Sequence, residues 1–185
     1  VDPPHLERFL NIVRDYPAIP WICPHLLCLT KAEYIQRLPK MLRQFPNLYT
    51  DLSFGFEKWM HTNFLRISKS RDYIRKVVID HADQILFGTD IVFATNKSYR
   101  NVEWATNSFK EYRKMLEFDQ FHHSVNRGKK LYEADVKALT LPQEILEKIY
   151  VTNPKRLFDR PPPRFDRDDL DQTLVSLPES ANFQD

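Results

Sequence analysis

Gln84-Ile85-Leu86-Phe87-Gly88-Thr89-Asp90 is the stretch on which the reading of the fold turns. A short apolar run gives way to glycine and then to an acid, the pattern of a buried strand whose end needs close backbone approach. Upstream, Ser70 reads as the cap of a helix carrying Tyr73, Ile74, Val77, Val78 and His81 on its apolar face. Before it, Leu48 to Ser53 reads as a second strand, opened by the turn Pro46-Asn47 and broken at Gly55. Trp21 to His25 reads as another, with Pro24 taking its far end out of the ladder. Helical patterns separate them. One is capped by Asp2 and carries Leu6, Phe9, Leu10, Val13 and Tyr16. The next opens on the capping box Thr30–Glu33, runs through Ile35, Leu38, Met41, Leu42 and Phe45, and is kinked or split at Pro39. Each connection is long enough for a helical crossover, so the three strands are expected to be parallel and the fold class to be α/β.

Downstream of Asp90 the spacing predicts a helix from about Asn101 to Glu117 and then a basic polar stretch, Asn126 to Lys130. Pro142 begins another helix with Ile145, Leu146 and Ile149, and Asn153-Pro154 is a further helix start. From Asp159 the chain is proline-rich, charged and without period, so residues 1–158 are expected to form one domain and 159–185 an extended tail.

Composition narrows the function. The chain has 185 residues, 42% of them hydrophobic, enough for one sizeable core. Twenty-seven basic against 25 acidic residues leave a formal charge of +2, which gives no electrostatic case for nucleic acid or an anionic membrane. Three glycines exclude a glycine-rich phosphate loop. The longest nearly apolar stretch, Trp21 to Leu29, is too short to span a bilayer, and no signal peptide opens the chain. Cys23 and Cys28 form neither a disulfide framework nor a zinc knuckle and read as small buried thiols. A cytoplasmic protein is expected.

Strand alternation locates the chemistry. It sets Trp21, Cys23 and His25 on one face of their strand, Tyr49, Asp51 and Ser53 on one face of theirs, and Leu86, Gly88 and Asp90 on one face of the third. Polar side chains thus gather at the carboxyl ends, where parallel α/β folds bind ligands. An imidazole (His25) and a carboxylate (Asp90) meeting there suit a divalent metal and its bound water, although a catalytic zinc site usually takes three protein ligands. Asp51 and Ser53 are candidates for the pocket lining. Lys97 and Arg100, in the loop after Asp90, are candidates for meeting an anionic substrate. His81 reads as a packed helix residue, and His122-His123 and Arg127 to Lys130 as solvated loop.

The segments DPPHLERFLNIVRDYP, WICPHLL, FPNLYTDLS, ILFGTD and LPQEILEKIYVTNPKRLF, in this order, resemble the C-terminal half of the amidohydrolase-related branch of the metal-dependent hydrolase superfamily. That branch includes nonoxidative decarboxylases such as aminocarboxymuconate semialdehyde decarboxylase. The resemblance runs from about Asp2 to Phe158 and is weakest from Val92 to Thr140. It implies the C-terminal part of a (β/α)8 barrel, with these strands as the sixth, seventh and eighth. The family's eighth-strand aspartate, a metal ligand and proton carrier, corresponds to Asp90, and its sixth-strand histidine to His25.

A full barrel needs roughly 250 residues, and neither the first-strand His-x-His pair nor the fifth-strand histidine has a counterpart here. The barrel is therefore expected to be incomplete in this chain, inactive alone, and completed by a missing N-terminal half or a partner chain, with homo-oligomers expected. The resemblance implies a metal-dependent hydrolase, zinc being the first choice of metal, cleaving a C–N or ester bond of a small organic substrate. The alternatives are a nonoxidative decarboxylase of a carboxylate and a non-catalytic interaction fragment.

Overall fold

The computed structural model describes residues 3–27, 35–55, 57–93 and 99–159. The expected tail from Asp159 lies almost wholly outside them, as do Lys97, Cys28 and the Thr30–Glu33 capping box. Helix α1, Pro3–Asp15, buries Leu6 and Val13 on one side. Strand β1, Trp21–Cys23, follows, and the Phe9 ring packs edge-on against Trp21. Helix α2, Leu38–Gln44, takes Pro39 into its first turn, where a missing N–H leaves no bond unmade. Strand β2, Leu48–Asp51, helix α3, Lys58–Lys69, helix α4, Arg71–Asp80, and strand β3, Ile85–Leu86, come next.

The three strands form one parallel sheet in the order β1-β2-β3, with Cys23 opposite Thr50 and Asp51 opposite Leu86. Leu48, Thr50 and Ile85 are buried completely on the face that meets the helices. All three strands are shorter than the sequence predicts, ending at Cys23, Asp51 and Leu86.

Three carboxamides tie down the entry to the sheet. Asn47 Nδ2 donates to the carbonyls of Val13, Tyr16 and Ile19, closing the end of α1 and the turn into β1. Gln84 Nε2 does the same for Leu42, Phe45 and Leu48 at 2.8–3.0 Å. Asn153 Nδ2 holds the carbonyls of Ala82 and Ile85 at 2.7 and 2.8 Å. Helix carbonyls left without intrahelical donors thus find partners, and the amino ends of the strands become the fixed end of the layer.

Beyond Asp90 the chain forms helix α5, Val102–Glu117, whose N-cap Asn101 accepts from the Trp104 amide at 2.9 Å. It returns as an antiparallel hairpin of β4, Gln120–Arg127, and β5, Lys130–Lys137. This hairpin corrects the expectation of a solvated loop: His123 is fully buried in β4, and Arg127 to Lys130 form the turn. The hairpin packs on α3, in the segment between Gly55 and Ser70 for which the apolar spacing predicts no element. Helix α6, Gln143–Glu147, continues through one π-helical stretch into helix α7, Asn153–Phe158. Among the described residues no helix is long and apolar enough to cross a membrane.

Candidate active site at the strand ends

His25 reaches the site by a route that strand alternation does not describe. The register pairs Ile22 with Tyr49 and Asp51 with Leu86, so Trp21 and Cys23 lie on the opposite, helix-facing side from Asp51. Past Cys23 the backbone turns left-handed at His25, Leu26 and Leu27, with φ of 62°, 50° and 54°. Non-glycine residues rarely adopt this region, and three in succession are held only by strong local bonding. That bonding comes from Asp51, whose Oδ1 accepts the His25 amide at 2.8 Å, the Ser53 amide at 3.1 Å and the Ser53 hydroxyl at 2.6 Å.

The same bonds fix the histidine's tautomer. His25 Nδ1 lies 2.8 Å from the Ser53 carbonyl oxygen and 2.8 Å from Ser53 Oγ. A carbonyl only accepts, and the Ser53 hydroxyl already gives its proton to Asp51, so Nδ1 must be the protonated donor to both. In the neutral imidazole Nε2 then carries the lone pair. A backbone carbonyl holding Nδ1–H is the arrangement that orients a metal-ligating imidazole.

Gly88 completes the packing. A Cβ there would lie 2.8 Å from Asp51 Oδ2 and 3.2 Å from Ser53 Cβ, so only glycine fits against the pair. Two residues on, Asp90 has φ 51°, again in the left-handed region. Its Oδ2 lies 3.9 Å from where a Cβ on Gly55 would stand. The Tyr112 hydroxyl pins the loop after β2: it accepts from the Phe54 amide at 2.8 Å and donates to the Gly55 carbonyl. Burial, and then the negative charges of Asp90 and Asp51, hold the Tyr112 phenol far above its ordinary range, so it stays a neutral donor.

Of the residues singled out by sequence, the structure joins His25, Asp51 and Ser53 directly and brings Asp90 to the same end of the sheet. Ser53 is buried, and the bonds of Asp51 and Ser53 are to His25 and to each other. Arg100 sits apart from them. Its guanidinium is 3% exposed and pairs with the equally buried Glu57 at 3.0 Å. Glu57 also accepts from Tyr99 at 2.8 Å and pairs with Arg127 at the hairpin turn at 3.2 Å. This cluster ties the hairpin to the loop after β2. Sequence gave no sign of Glu57, whose φ of 55° makes its position a matter of backbone shape.

A second polar group missed in the sequence lies under the hairpin. Glu111 takes His123 Nδ1 at 2.8 Å and Lys114 at 2.7 Å. Burial pushes its carboxyl up, but the hydrogen bonds from His123 and Lys114 outweigh this and hold it below the usual range. The His61 ring stacks on His123 at 5.5 Å, and burial, followed by that neighbour, lowers the His61 pKa. The alternation of Phe121, His123 and Val125 against Tyr132, Ala134 and Val136 is the signal that could have found this hairpin.

His25, with Nε2 bare, and Asp90 have the chemistry of metal ligands and fit as part of such a centre. Among the described residues, however, no group of three or more His, Cys, Asp or Glu side chains comes together to hold a metal ion.

No curated protein and no solved structure matches this sequence. The family described as Amidohydrolase does, over residues 1–160, a span that takes in all three strands, both strand-end residues and the last described helix. A match across most of the chain settles its kinship: it belongs to the amidohydrolase family, within a superfamily of metal-dependent enzymes of the hydrolase type.

Proposed function

We propose that this chain is the C-terminal part of a (β/α)8 barrel and carries part of the active site of a metal-dependent hydrolase acting on a C–N or ester bond of a small organic substrate. The observation that carries the reading is His25, held by Asp51 and Ser53 so that Nε2 is left bare at the carboxyl end of a parallel sheet. That end is where barrel enzymes place their chemistry. Residues 1–158 form the barrel part and the segment from Asp159 a tail. Among the described residues β1 and β3 each have one sheet neighbour. Further strands, from a preceding segment or from a partner chain in a homo-oligomer, would cover those edges and bring the remaining ligands. Two cysteines without a disulfide framework suit a cytoplasmic enzyme.

His25 through Nε2 and Asp90 through its carboxylate are the ligands this chain would give to a divalent cation, zinc by choice. Such a cation, when bound, would lower the pKa of a water molecule to roughly 7. Asp90 takes the proton of the attacking water and returns it to the leaving nitrogen or oxygen. Asp51 and Ser53 hold the imidazole in one tautomer. Exposed Val92 and Phe93, shortly after Asp90 in the chain, offer an apolar surface for the body of the substrate; Lys97 is the candidate for its anionic group, while Arg100 is taken up by Glu57.

Zinc content and turnover of the barrel-complete enzyme, with Asp90→Asn and His25→Ala, test this on a panel of amides and esters of small carboxylic acids. Each variant should lose at least about 100-fold in kcat, and oxygen from labelled water should appear in the product. Wild-type turnover in both variants overturns the assignment. Release of CO2 without water consumption would identify a decarboxylase using the same residues, and an absence of zinc and turnover in the assembled protein would identify an interaction module.

A further inference from the structure

Asp90 and Glu57 both stand in backbone conformations that a residue with a side chain rarely adopts, with φ of 51° and 55°. Such a φ persists only where the surroundings over-determine it. Asp90 follows β3 and Glu57 lies in the loop after β2, and one side chain reaches both segments. Arg100 Nε donates to Glu57 Oε1 at 3.0 Å, and Arg100 Nη1 donates to the carbonyl of Val92, two residues past Asp90, at 3.4 Å.

The surroundings make this bridge stiff. Each side chain of the ion pair is 3% exposed, so salt screens it little. The guanidinium carbon lies 5.4 Å from the Trp104 ring centroid and 5.9 Å from that of Tyr99, aromatic neighbours on which a planar guanidinium packs. Glu57 is held from further sides: Oε1 also accepts the Tyr99 hydroxyl at 2.8 Å, and Oε2 pairs with Arg127 of the hairpin turn at 3.2 Å. The turn sits on the same cluster, since a Cβ on Gly128 would touch the Tyr99 ring at 3.6 Å. Asp90 is thus gripped from one loop at two points, at its carboxylate by the backbone of Gly55 and past its backbone by Glu57 acting through Arg100.

We infer that Arg100 is a positioning residue for Asp90. The Glu57–Arg100 pair clamps the segment after β3 to the loop after β2, which keeps the Asp90 carboxylate at the strand ends, and the hairpin turn locks the clamp through Arg127. The inference rests on the reading of Asp90 as the group that takes the proton of the attacking water. Arg100 itself touches no substrate, because a guanidinium buried against its own carboxylate has almost no surface to offer an anion.

Arg100→Lys tests this, since one ammonium nitrogen keeps a charge beside Glu57 but does not bridge to Val92 as the planar guanidinium does. Arg127→Ala, at a half-exposed position, loosens the lock from outside. The first readout needs no turnover: coupling constants and 13C shifts of Asp90 in the labelled full chain report its φ. Arg100→Lys should abolish the left-handed signature of Asp90 while the hairpin resonances persist, and Arg127→Ala should weaken it. In the barrel-complete enzyme Arg100→Lys should lower kcat at least about tenfold and move KM by less than about twofold. An unchanged Asp90 signature in Arg100→Lys, or in Arg127→Ala should the lysine protein not fold, overturns the inference. So does a rise in KM for anionic substrates with kcat retained, the mark of an arginine that binds substrate. An assembled wild-type enzyme without turnover overturns the reading of Asp90, and with it a positioning role in catalysis, whereas the Asp90 signature decides the clamp on its own.

Discussion

Alanine at position 88 puts a methyl group where the strand-end network leaves no room. The added Cβ would lie 2.8 Å from Asp51 Oδ2, 3.0 Å from Asp51 Cγ and 3.2 Å from Ser53 Cβ. Favourable contact begins near 3.5 Å, so the carboxylate would have to recede by about 0.7 Å. It is not free to do so, because its Oδ1 holds two amides and a hydroxyl at 2.8, 3.1 and 2.6 Å. Overpacking of this kind costs about 1–3 kcal/mol, and the stretched charge-assisted bonds add to it. A loss of about 2 kcal/mol corresponds to a fall in melting temperature of about 4–8 °C for a chain of this length. Thermal unfolding followed by circular dichroism on wild type, Gly88→Ala, Asp51→Ala and the double variant reads both the loss and its origin. If the clash is with the carboxylate, Gly88→Ala costs at least about 1 kcal/mol less once Asp51 is alanine. Strict additivity, or a Gly88→Ala protein melting within about 1 °C of wild type, refutes the account of how His25 is held.

At the other end of the sheet, Asn153→Ala strips two buried carbonyls of their donor. It should cost about 2–3 kcal/mol in denaturant unfolding and leave the strand-end residues untouched. Acid should destabilise the fold in two stages. His61 and His81 have lowered pKa values in the folded chain, both mainly through burial. The unfolded chain therefore binds more protons, and stability falls as pH drops below about 6.5. Glu111, also lowered, adds a loss below about 4.5 as its carboxylate is protonated. His122, raised chiefly by its hydrogen bond to Asp135, acts in the opposite direction and favours the fold below its unfolded pKa. His61→Phe keeps the ring stack and should flatten the dependence of melting temperature on pH between 7 and 5; an unchanged slope would show that the stacked pair is not its source.

The parts of this protein legible in its sequence are those governed by period. The α1 face, the α5 span, and the positions and parallel sense of three short strands follow from apolar spacing and connection length. Strand ends do not, because Leu48 to Ser53 and Ile85 to Asp90 read as continuous runs while the backbone departs after Asp51 and Leu86. Helix α3 was hidden by an exposed Trp59 beside the buried Met60, Phe64 and Ile67, which blurs the apolar stripe. In the hairpin a fully buried histidine occupies a place where an apolar residue is looked for. At the site, residue types pointed to His25 and Asp90, yet the left-handed turn that aims His25, and the part Asp51 and Ser53 take in holding it, are properties of backbone path and of contacts between distant segments.

The central claim is that the strand-end network presents His25 with Nδ1 protonated and Nε2 bare. The nitrogen resonances of the His25 ring in the 15N-labelled chain at neutral pH measure this directly. The account predicts the Nδ1–H tautomer; a proton on Nε2 would mean that Ser53 and Asp51 do not hold the ring this way, and that the nitrogen offered to a metal is not there.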